Sequence, residues 1–537
     1  MRTSVRWPAF VAWLLLAFAV AVQALAGWRA LGADLAGEDP PAHFTTGVLL
    51  YDYARRLAPA PPMRFAECFY VQYPKVAFGH WPPVFYIAEC FCFLIFGASI
   101  AAARWLCAAI AAGLAAVLWR QCRKHWGDIA GPVAAALFLT FPVIQAQAWR
   151  VMSDVLLALF LYLALSRFAA WLSGEPANHL WWCALWTSLA ILTKATGWLM
   201  LPVLLSAPWI AGRAEAYRRR AYWLATALVC AVTTPFFLAM KWMYLGYPVQ
   251  IARQLRGLAN GAPALPALAA LLLAGAAFLI RRHPARTPSQ TVCVTMGLWL
   301  GAQTAFLIVL PHVPGEYDRF FIASLAPGIF LFSGVLYALE SRVARYGLPR
   351  GALTAICGGA AMLWFGVAPD RSVRGYAAAI DSIPRRATGP VVWVQSDPVG
   401  DGAVIARRLE TDRARSTYIV RGSKMIADQT WSGRRYTLRY REPQSVLALL
   451  ERIPVDYILF DTSAPSTPDA DLLGAALASP QSKFALRSSL PIRGWERSGE
   501  VRIYQRRSPV REGPVALSVM LGPEHNHRAI SCPARPW

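Results

Sequence analysis

Charged side chains are scarce in this sequence of 537 residues, since 15% are Asp, Glu, Lys or Arg, whereas 56% are hydrophobic and 22 residues are Trp. Soluble domains of ordinary composition carry about 25% charged residues. A chain with so little charge and so much apolar surface is not expected to fold as a soluble globule. The composition therefore predicts a membrane protein.

Acidic residues are fewer than basic residues. The chain contains 30 Asp and Glu and 53 Lys and Arg, which gives a formal net charge of +23. A strongly basic chain can indicate a nucleic-acid partner. Here, however, the basic residues fall mostly in short loops between apolar runs and in the C-terminal third. Membrane topology explains the basic loops, because cytoplasmic loops are enriched in Lys and Arg. We therefore predict no nucleic-acid partner.

Motifs for metal or dinucleotide binding are missing. Of the ten Cys, most lie in or beside apolar runs without C-x-x-C or Cys/His ligand spacing, so we interpret them as small core residues. Cys68 and Cys532 lie on the predicted outer side and could pair in an oxidising compartment, although the sequence does not indicate that they are close. Gly400 and Gly402 fall short of a G-x-G-x-x-G fingerprint, which argues against a nucleotide site.

Long apolar runs are abundant. Arg2 and Arg6 precede the run 7–26, which resembles a signal peptide with a small-residue cleavage pattern at 24–26, but its near-spanning length favours an uncleaved anchor. Together with the later runs, this anchor gives about eleven membrane spans. The later predicted spans are 101–119, 129–147, 154–173, 179–193, 196–211, 220–240, 264–280, 291–310, 319–340 and 351–368.

Segment 82–97 is apolar but short, and it carries Glu89 in its middle. If this segment does not cross the membrane, all the strongly basic short loops fall on the side of Arg2 and Arg6, as the positive-inside rule requires. If it crosses, they all move outside together. We therefore predict an interfacial or re-entrant helix at 82–97, a cytoplasmic N-terminus and an outer first loop at 27–100.

From about residue 371 the composition becomes polar. Buried strands are predicted at 389–396, 416–422 and 455–461, and helices at 401–411, 443–452 and 469–478. The predicted fold is therefore an α-helical polytopic membrane domain at 1–370, followed by a soluble periplasmic α/β domain at 371–537. The last twenty or so residues are predicted to be a disordered tail.

Two adjacent carboxylates, Glu38 and Asp39, follow the first span within a few residues and are called the acid pair below. A carboxylate beside a membrane, partly screened from water, can act as a general base toward a hydroxyl. The alternative is a solvated acidic turn before Pro40 and Pro41, or an N-cap of the helix that follows. The pattern does not decide between these interpretations.

Asp154 lies at the outer entrance of a predicted span, where it is either a functional acid or, with Ser153, a helix N-cap. Lys194 lies between two apolar runs and is either a snorkelling lysine or a ligand of a lipid phosphate. Several cations around a pair of acids indicate an anionic ligand with a nucleophile being deprotonated nearby. The other cations predicted on this outer side are Lys75, Arg150, Arg253, Arg256 and Arg319.

His43 and His80 could bind a divalent ion together with the acid pair. Sequence spacing fixes no such geometry, and a histidine that forms hydrogen bonds is the more common case. We therefore assign no metal site and no cofactor, and leave the question of a divalent metal open.

The order of several motifs resembles that of a known family. E-D-P-P-A-H-F at 38–44 and G-H-W-P-P at 79–83 are similar to the D-E-x-H-F and K/H-P-P patterns of GT-C membrane glycosyltransferases. M-S-D-V-L-L-A-L-F at 152–160, L-T-K-A-T-G-W at 192–198 and R-F-F-I-A-S-L-A-P at 319–327 resemble later signatures of that family in the same order. The protein O-mannosyltransferases and the lipid A aminoarabinose transferases are the most similar by motif.

The resemblance implies a GT-C-like fold and a glycosyltransferase that moves a hexosyl or pentosyl group from a polyprenyl-phosphate donor to a lipid, glycan or protein acceptor. It also implies that transfer takes place on the periplasmic face of a bacterial inner membrane. Carried over to this sequence, the acid pair holds the catalytic base and Asp154 assists it. Lys75, Lys194 and Arg319 would then bind the lipid phosphate.

This chain departs from the family pattern, since it reads Glu-Asp where the family reads Asp-Glu and has an extra Pro before His43. The base is therefore either Glu38 or Asp39. Two other function classes also need many spans, namely a transporter or lipid flippase, and a non-catalytic envelope scaffold. A transporter predicts broken helices with polar residues near the midplane of paired repeats, which the sequence does not display. A scaffold does not require an acid pair among cations.

Overall fold

The structure is a computed structural model, and it describes residues 7–58, 60–77, 79–240, 287–309, 317–384, 390–428, 436–508, 517–520 and 529–532. Contacts between residues divide the chain into two compact units. The helical unit contains Met1–Gly27, Gly79–Phe85 and Cys107–Ala368. The loop-and-sheet unit contains Trp28–Phe78, Tyr86–Leu106 and Pro369–Trp537, so it combines most of the first loop with the C-terminal domain.

Helices dominate the described part of the chain up to residue 365. In chain order they are α1 (Trp7–Leu31), α2 (Pro40–Arg55), α3 (Pro62–Gln72), α4 (Val84–Phe96), α5 (Ile100–Trp126), α6 (Ala130–Thr140), α7 (Pro142–Gln147), α8 (Asp154–Leu172), α9 (Asn178–Ile191), α10 (Met200–Ile210), α11 (Arg220–Ala239), α12 (Pro288–Val309), α13 (Tyr317–Phe320), α14 (Ile322–Val343) and α15 (Ala352–Phe365). Short 3-10 turns are formed by Ala195–Leu199, Ala214–Arg218 and Ala344–Tyr346.

Strands and helices alternate in the C-terminal domain. In chain order they are β1 (Val373–Arg374), α16 (Tyr376–Asp381), β2 (Val391–Gln395), α17 (Pro398–Thr411), β3 (Tyr418–Arg421), α18 (Gly422–Ile426), β4 (Ala427–Asp428), β5 (Thr437–Leu438), α19 (Pro443–Arg452), β6 (Tyr457–Asp461), α20 (Pro468–Ala478), β7 (Phe484–Gly494), β8 (Arg497–Arg506), β9 (Leu517–Met520) and β10 (Ala529–Cys532).

Within the described residues, five helices are long and apolar enough to cross a membrane, namely α1, α5, α8, α11 and α14. Helix α8 is the most enclosed of these, with 72% of its apolar window buried, and it packs against α9, α12 and α14. In the other four, less than half of the apolar window is buried, which leaves apolar surface for contact with lipid. The chain is therefore a multi-pass membrane protein, as its composition predicts.

Most predicted spans coincide with a described helix or helix pair. The span 129–147 is divided into α6 and α7, because Phe141 precedes Pro142 and takes an extended conformation with ψ 130°. Segment 82–97 forms the 13-residue helix α4. At about 1.5 Å per residue this helix is too short to cross a bilayer core of about 30 Å upright. The predicted span 264–280 lies outside the described residues.

A six-stranded mixed sheet forms the core of the C-terminal domain, in the order β1-β7-β8-β6-β2-β3. Strand β2 pairs in parallel with β3 and with β6, and its register places Val392 opposite Ile419 and Tyr457. The pairs β6–β8, β8–β7 and β7–β1 are antiparallel. All residues of β2 are buried, as expected for a central parallel strand. The α/β fold predicted for this domain is therefore confirmed.

Two features of the C-terminal domain differ from the prediction. The structure contains the β7–β8 hairpin, which the sequence did not predict. Most side chains of these two strands are exposed or half-buried, so their hydrophobic pattern is weak. The prediction of a disordered tail is wrong for 529–532, because this segment forms β10 and pairs antiparallel with β9. Cys532 is also bonded to Cys68 of α3, with Cα atoms 5.3 Å apart. A bond between residues so distant in sequence leaves no mark on local composition.

The first loop packs on the C-terminal domain within the loop-and-sheet unit. Asp52 of α2 forms a buried ion pair with Arg415 at 2.6 Å. The carboxylate of Asp34 accepts a hydrogen bond from the N–H of Tyr376, the first residue of α16, at 2.7 Å. Together with the disulfide, these contacts fix α2 and α3 against the sheet.

Candidate functional site

The acid pair lies in the turn between α1 and α2. Gly37, directly before it, has φ 127°, a conformation that favours glycine. Asp39 occupies the N-cap position of α2, yet its carboxylate makes no capping hydrogen bond. Pro40 and Pro41, the first two residues of the helix, have no N–H for it to cap. The helix-cap interpretation is therefore not realised at Asp39.

The two carboxylates of the acid pair differ in exposure. Glu38 is exposed, whereas Asp39 is 8% exposed. A general base benefits from a position where bulk water does not compete with the substrate hydroxyl. Of the two acids, Asp39 has the surroundings that a base requires.

Lys75 is buried within a cluster of charges that includes the acid pair. Its side chain is 1% exposed, and its Nζ donates a hydrogen bond to the carbonyl oxygen of Pro398 at 3.0 Å. Burial lowers the pKa of Lys75, and the positive charge of Arg421 lowers it further, whereas the negative charges of Asp401 and the acid pair oppose this shift. The loop-and-sheet unit therefore brings Lys75 and the acid pair together.

The two predicted site histidines lie in different units. His43 is buried on α2, and its ring centroid lies 5.6 Å from that of Tyr86. In the helical unit, the His80 ring packs against Trp81 with the centroids 4.4 Å apart. Within the described part of the chain, no group of three or more His, Cys, Asp or Glu side chains is placed to hold a metal ion. The structure therefore shows each histidine in contact with an aromatic ring.

Asp154 and Lys194 form a buried ion pair in the helical unit. Asp154 is the first residue of α8, and Lys194 directly precedes the 3-10 turn Ala195–Leu199. Their Oδ1 and Nζ atoms are 2.6 Å apart, and the side chains are 4% and 12% exposed. Ser153, at the N-cap position, makes no capping hydrogen bond. The carboxylate of Asp154 therefore serves an ion pair instead of a helix cap, and Lys194 has a fixed partner.

The two carboxylate oxygens of Asp154 differ in their hydrogen bonding. Oδ2 of Asp154 has no hydrogen-bond partner among the described residues. A buried carboxylate oxygen without a donor is unfavourable, because its interaction with water has been lost. The Oδ2 atom is thus available to a donor group of a bound molecule.

A second cation joins Lys194 on one aromatic ring. Nζ of Lys194 lies 4.8 Å from the ring centroid of Phe320, and the guanidinium carbon of Arg319 lies 5.4 Å from it. The helical unit therefore brings together three predicted site residues, Asp154, Lys194 and Arg319. Among these three side chains positive charge exceeds negative charge, which suits an anionic group such as a phosphate.

The other predicted cations are placed differently. Arg150 is exposed, and Arg253 and Arg256 lie outside the described residues. The structure also contains two charged residues that the sequence analysis did not single out, Asp401 and Arg421. They form a buried ion pair with Nε and Oδ2 2.8 Å apart. The sequence could have indicated them, because Asp401 lies in a predicted helix and Arg421 lies near the end of a predicted buried strand.

One protein family matches part of this chain. Residues 80–238 match the family described as dolichyl-phosphate-mannose-protein mannosyltransferase. The matched segment is less than a third of the chain, and it includes His80, Asp154 and Lys194. None of the curated proteins compared with the chain matches it.

Solved structures with a similar course of the chain include two membrane enzymes. One is ArnT from Cupriavidus metallidurans bound to undecaprenyl phosphate, which is 16% identical with a TM-score of 0.47 over 90% of this chain and 97% of that chain. Another is the archaeal oligosaccharyltransferase AglB from Archaeoglobus fulgidus in complex with an inhibitory peptide and a dolichol-phosphate. It is 13% identical with a TM-score of 0.44 over 82% of this chain and 69% of that chain. At these TM-scores, neither likeness carries an argument about function.

The family match covers the segment in which the structure pairs Asp154 with Lys194. The same segment contains two of the motifs on which the sequence resemblance depends. The chain therefore resembles the GT-C membrane glycosyltransferases of the O-mannosyltransferase type, as its motifs predict.

Proposed function

We propose that this chain is a membrane glycosyltransferase that moves a sugar from a polyprenyl-phosphate donor to a lipid, glycan or protein acceptor. The description of the matched family names a dolichyl-phosphate sugar, which is a donor of this class. The basic loops support an orientation with the N-terminus in the cytoplasm and the C-terminal domain in the periplasm of a bacterial inner membrane. The transferred group is a hexosyl or pentosyl unit.

The ion pair of Asp154 and Lys194 is the observation that carries this proposal. It lies inside the matched segment and at the entrance of an apolar helix. Removing two charges from water costs free energy, and charged residues in apolar segments are mostly functional. Arg319 contacts the same ring as Lys194, so a second cation is at hand. In this proposal Lys194 and Arg319 bind the donor phosphate, and Asp154 orients Lys194.

The proposed reaction is a direct displacement with Asp39 as general base. The carboxylate takes the proton of the acceptor hydroxyl while the acceptor oxygen forms a bond to the anomeric carbon of the sugar. The bond between this carbon and the phosphate oxygen breaks, and polyprenyl phosphate leaves with the electron pair. The cations stabilise the negative charge of the departing phosphate. Attack opposite the leaving group inverts the anomeric configuration.

This mechanism requires neither a metal ion nor another cofactor. His43 and His80 are kept as proposed site residues without an assigned proton transfer. Lys75 was predicted to bind the donor phosphate as well. Because its ammonium group is enclosed and donates to the carbonyl of Pro398, a different role is inferred for it below.

Membranes that contain the protein, incubated with a labelled polyprenyl-phosphate sugar and an acceptor extract, provide the test. A transferase releases free polyprenyl phosphate only when the acceptor is present, and Asp154→Asn should lose this release. Asp128→Asn is the matched control, because that carboxylate is exposed and pairs with Arg123 on the surface. Movement of intact donor across the membrane without release would indicate a flippase, and absence of both would indicate a scaffold.

A further inference from the structure

The first turn of α17 contacts the turn that carries the acid pair. Asp397 caps this helix, since its Oδ1 accepts hydrogen bonds from the N–H groups of Val399 and Gly400 at 3.1 and 3.0 Å. Arg497 forms an ion pair with Asp397. The start of α17 is therefore fixed on the sheet, and it presents Pro398, Asp401 and Gly402 to the first loop.

Gly402 marks the closest approach. A Cβ atom added at this position would lie 2.7 Å from Cγ of Pro41 and 3.2 Å from the carbonyl oxygen of Gly37. These two residues flank the acid pair on either side. Because a proline ring and a backbone carbonyl cannot move aside like a flexible side chain, the glycine allows α17 to define where the acid pair lies.

Lys75 is held by the same turn of α17. Its Nζ donates a hydrogen bond to the carbonyl oxygen of Pro398. Asp401 lies three positions later in the same helix and is fully buried. Burial raises the pKa of Asp401, while Arg421 and Lys75 oppose this shift. Oδ2 of Asp401 accepts a hydrogen bond from Nε of Arg421 at 2.8 Å, whereas Oδ1 has no hydrogen-bond partner among the described residues.

We infer that Asp401 is a positioning residue, through which the C-terminal domain favours the charged form of Lys75 beside the acid pair, and that Arg421, the ion-pair partner of Asp401, counteracts this effect. The inference rests on the proposed function, and it assigns the C-terminal domain a part in the site. Asp401 supplies the negative charge that favours the protonated form of Lys75 in a buried setting. Protonated Lys75 in turn attracts the negative charges of Glu38 and Asp39.

The pH dependence of transfer distinguishes this role from a purely structural one. The charged groups that face Lys75 are Asp401, Arg421 and the acid pair, and Asp397 also faces Asp401. Loss of the Lys75 proton should reduce the transfer rate on the alkaline side. This decline in rate with rising pH is called the alkaline limb, and it should be absent in Lys75→Met.

Two variants should move the alkaline limb in opposite directions. Asp401→Asn removes a negative charge, which makes loss of the proton easier, so the limb moves to lower pH by roughly one pH unit. Arg421→Gln removes a positive charge, so the limb moves to higher pH by a similar amount. Arg421→Lys keeps the charge and should leave the limb in place. Shifts in the same direction, or lower rates without any shift, would overturn the inference.

A second measurement does not require turnover. The apparent thermal midpoint in detergent is recorded against pH for the wild type and for Lys75→Met. Because the pKa of Lys75 is lower in the folded protein than in the unfolded chain, the unfolded state binds more protons between the two values. The wild type should therefore gain stability relative to Lys75→Met as pH rises through this window.

The thermal measurement separates failure of the inference from failure of the proposed function. If the wild type transfers no sugar at any pH, the proposed function fails, and the thermal data alone judge the inference. The rise should begin at lower pH in Asp401→Asn and at higher pH in Arg421→Gln, each compared with the same variant carrying Lys75→Met. If the difference in apparent thermal midpoint between the wild type and Lys75→Met does not change with pH, the inference is contradicted. If Asp401→Asn does not fold, Arg421→Gln decides.

Discussion

Two lysines with little exposure, one in each unit, have their charges balanced in different ways. In the helical unit, the direct ion-pair partner of Lys194 among the described residues is the carboxylate of Asp154, at 2.6 Å. In the loop-and-sheet unit, Lys75 donates to a backbone carbonyl, while the nearby carboxylate of Asp401 forms its direct ion pair with Arg421. The first lysine lies in a small group with Asp154 and Arg319, and the second belongs to a cluster of at least five charges.

The difference between them bears on function. A single ion pair, in which one carboxylate oxygen has no hydrogen-bond partner among the described residues, can accept a new anionic or donor group without rearranging many neighbours. A cluster in which each charge influences several others changes its protonation as a whole. We therefore assign donor binding to Lys194 and control of the acid pair to Lys75.

The largest difference between the two lysines is expected when each is replaced by methionine. Lys194→Met leaves Asp154 buried without its cation, and should lower the free energy of unfolding by about 3–5 kcal/mol. Lys75→Met leaves Asp401 paired with Arg421, so the loss should be about 1–3 kcal/mol. Apparent thermal midpoints in detergent measure both. The double variant Asp154→Asn/Lys194→Met should recover part of the loss, and equal losses for the two lysines would remove the distinction between pair and cluster.

The disulfide should stabilise only the unit that contains Lys75. Cys68→Ser/Cys532→Ser removes the bond between α3 and β10 and should lower the free energy of unfolding by about 2–4 kcal/mol. Limited proteolysis should then cut the first loop and the C-terminal domain faster, while the helical unit keeps its wild-type rate. Cys357→Ser, at a free cysteine of α15, serves as the control. Faster cleavage throughout the chain would argue against a local effect.

Gly402→Ala should produce the smallest of these changes. The added methyl group meets Pro41 and Gly37, so the acid pair shifts. The transfer rate should fall by roughly tenfold, which corresponds to about 1.4 kcal/mol in activation free energy. Gly474→Ala in α20 is the matched control, because there the new Cβ would lie 3.7 Å from Phe460, an ordinary contact. If both variants keep the wild-type rate, the acid pair does not depend on α17 for its position.

The sequence predicts the helical unit more completely than the cluster around Lys75. Apolar runs identify helices such as α8 and α14, because lipid requires every backbone polar group to be paired within its own segment. Motif order also placed Asp154, Lys194 and Arg319 among the candidate residues, and the structure brings these three together.

The cluster around Lys75 could not be predicted, because it depends on contacts between distant parts of the chain. Lys75 and Pro398 are 323 positions apart, and Cys68 and Cys532 are 464 positions apart. Local composition records neither contact. Cys68 and Cys532 are a possible pair by sequence, because both are predicted on the outer side of the membrane, but no local feature indicates that they are close.

The rate of acceptor-dependent release of polyprenyl phosphate by Asp39→Asn, Glu38→Gln and the double variant tests the central claim most directly. If Asp39 is the base, Asp39→Asn and the double variant should lose about a hundredfold or more in rate. Glu38→Gln should stay within about tenfold of the wild type, because that carboxylate is exposed and takes no proton in the mechanism. Normal transfer by the double variant would contradict the assignment of the base to the acid pair.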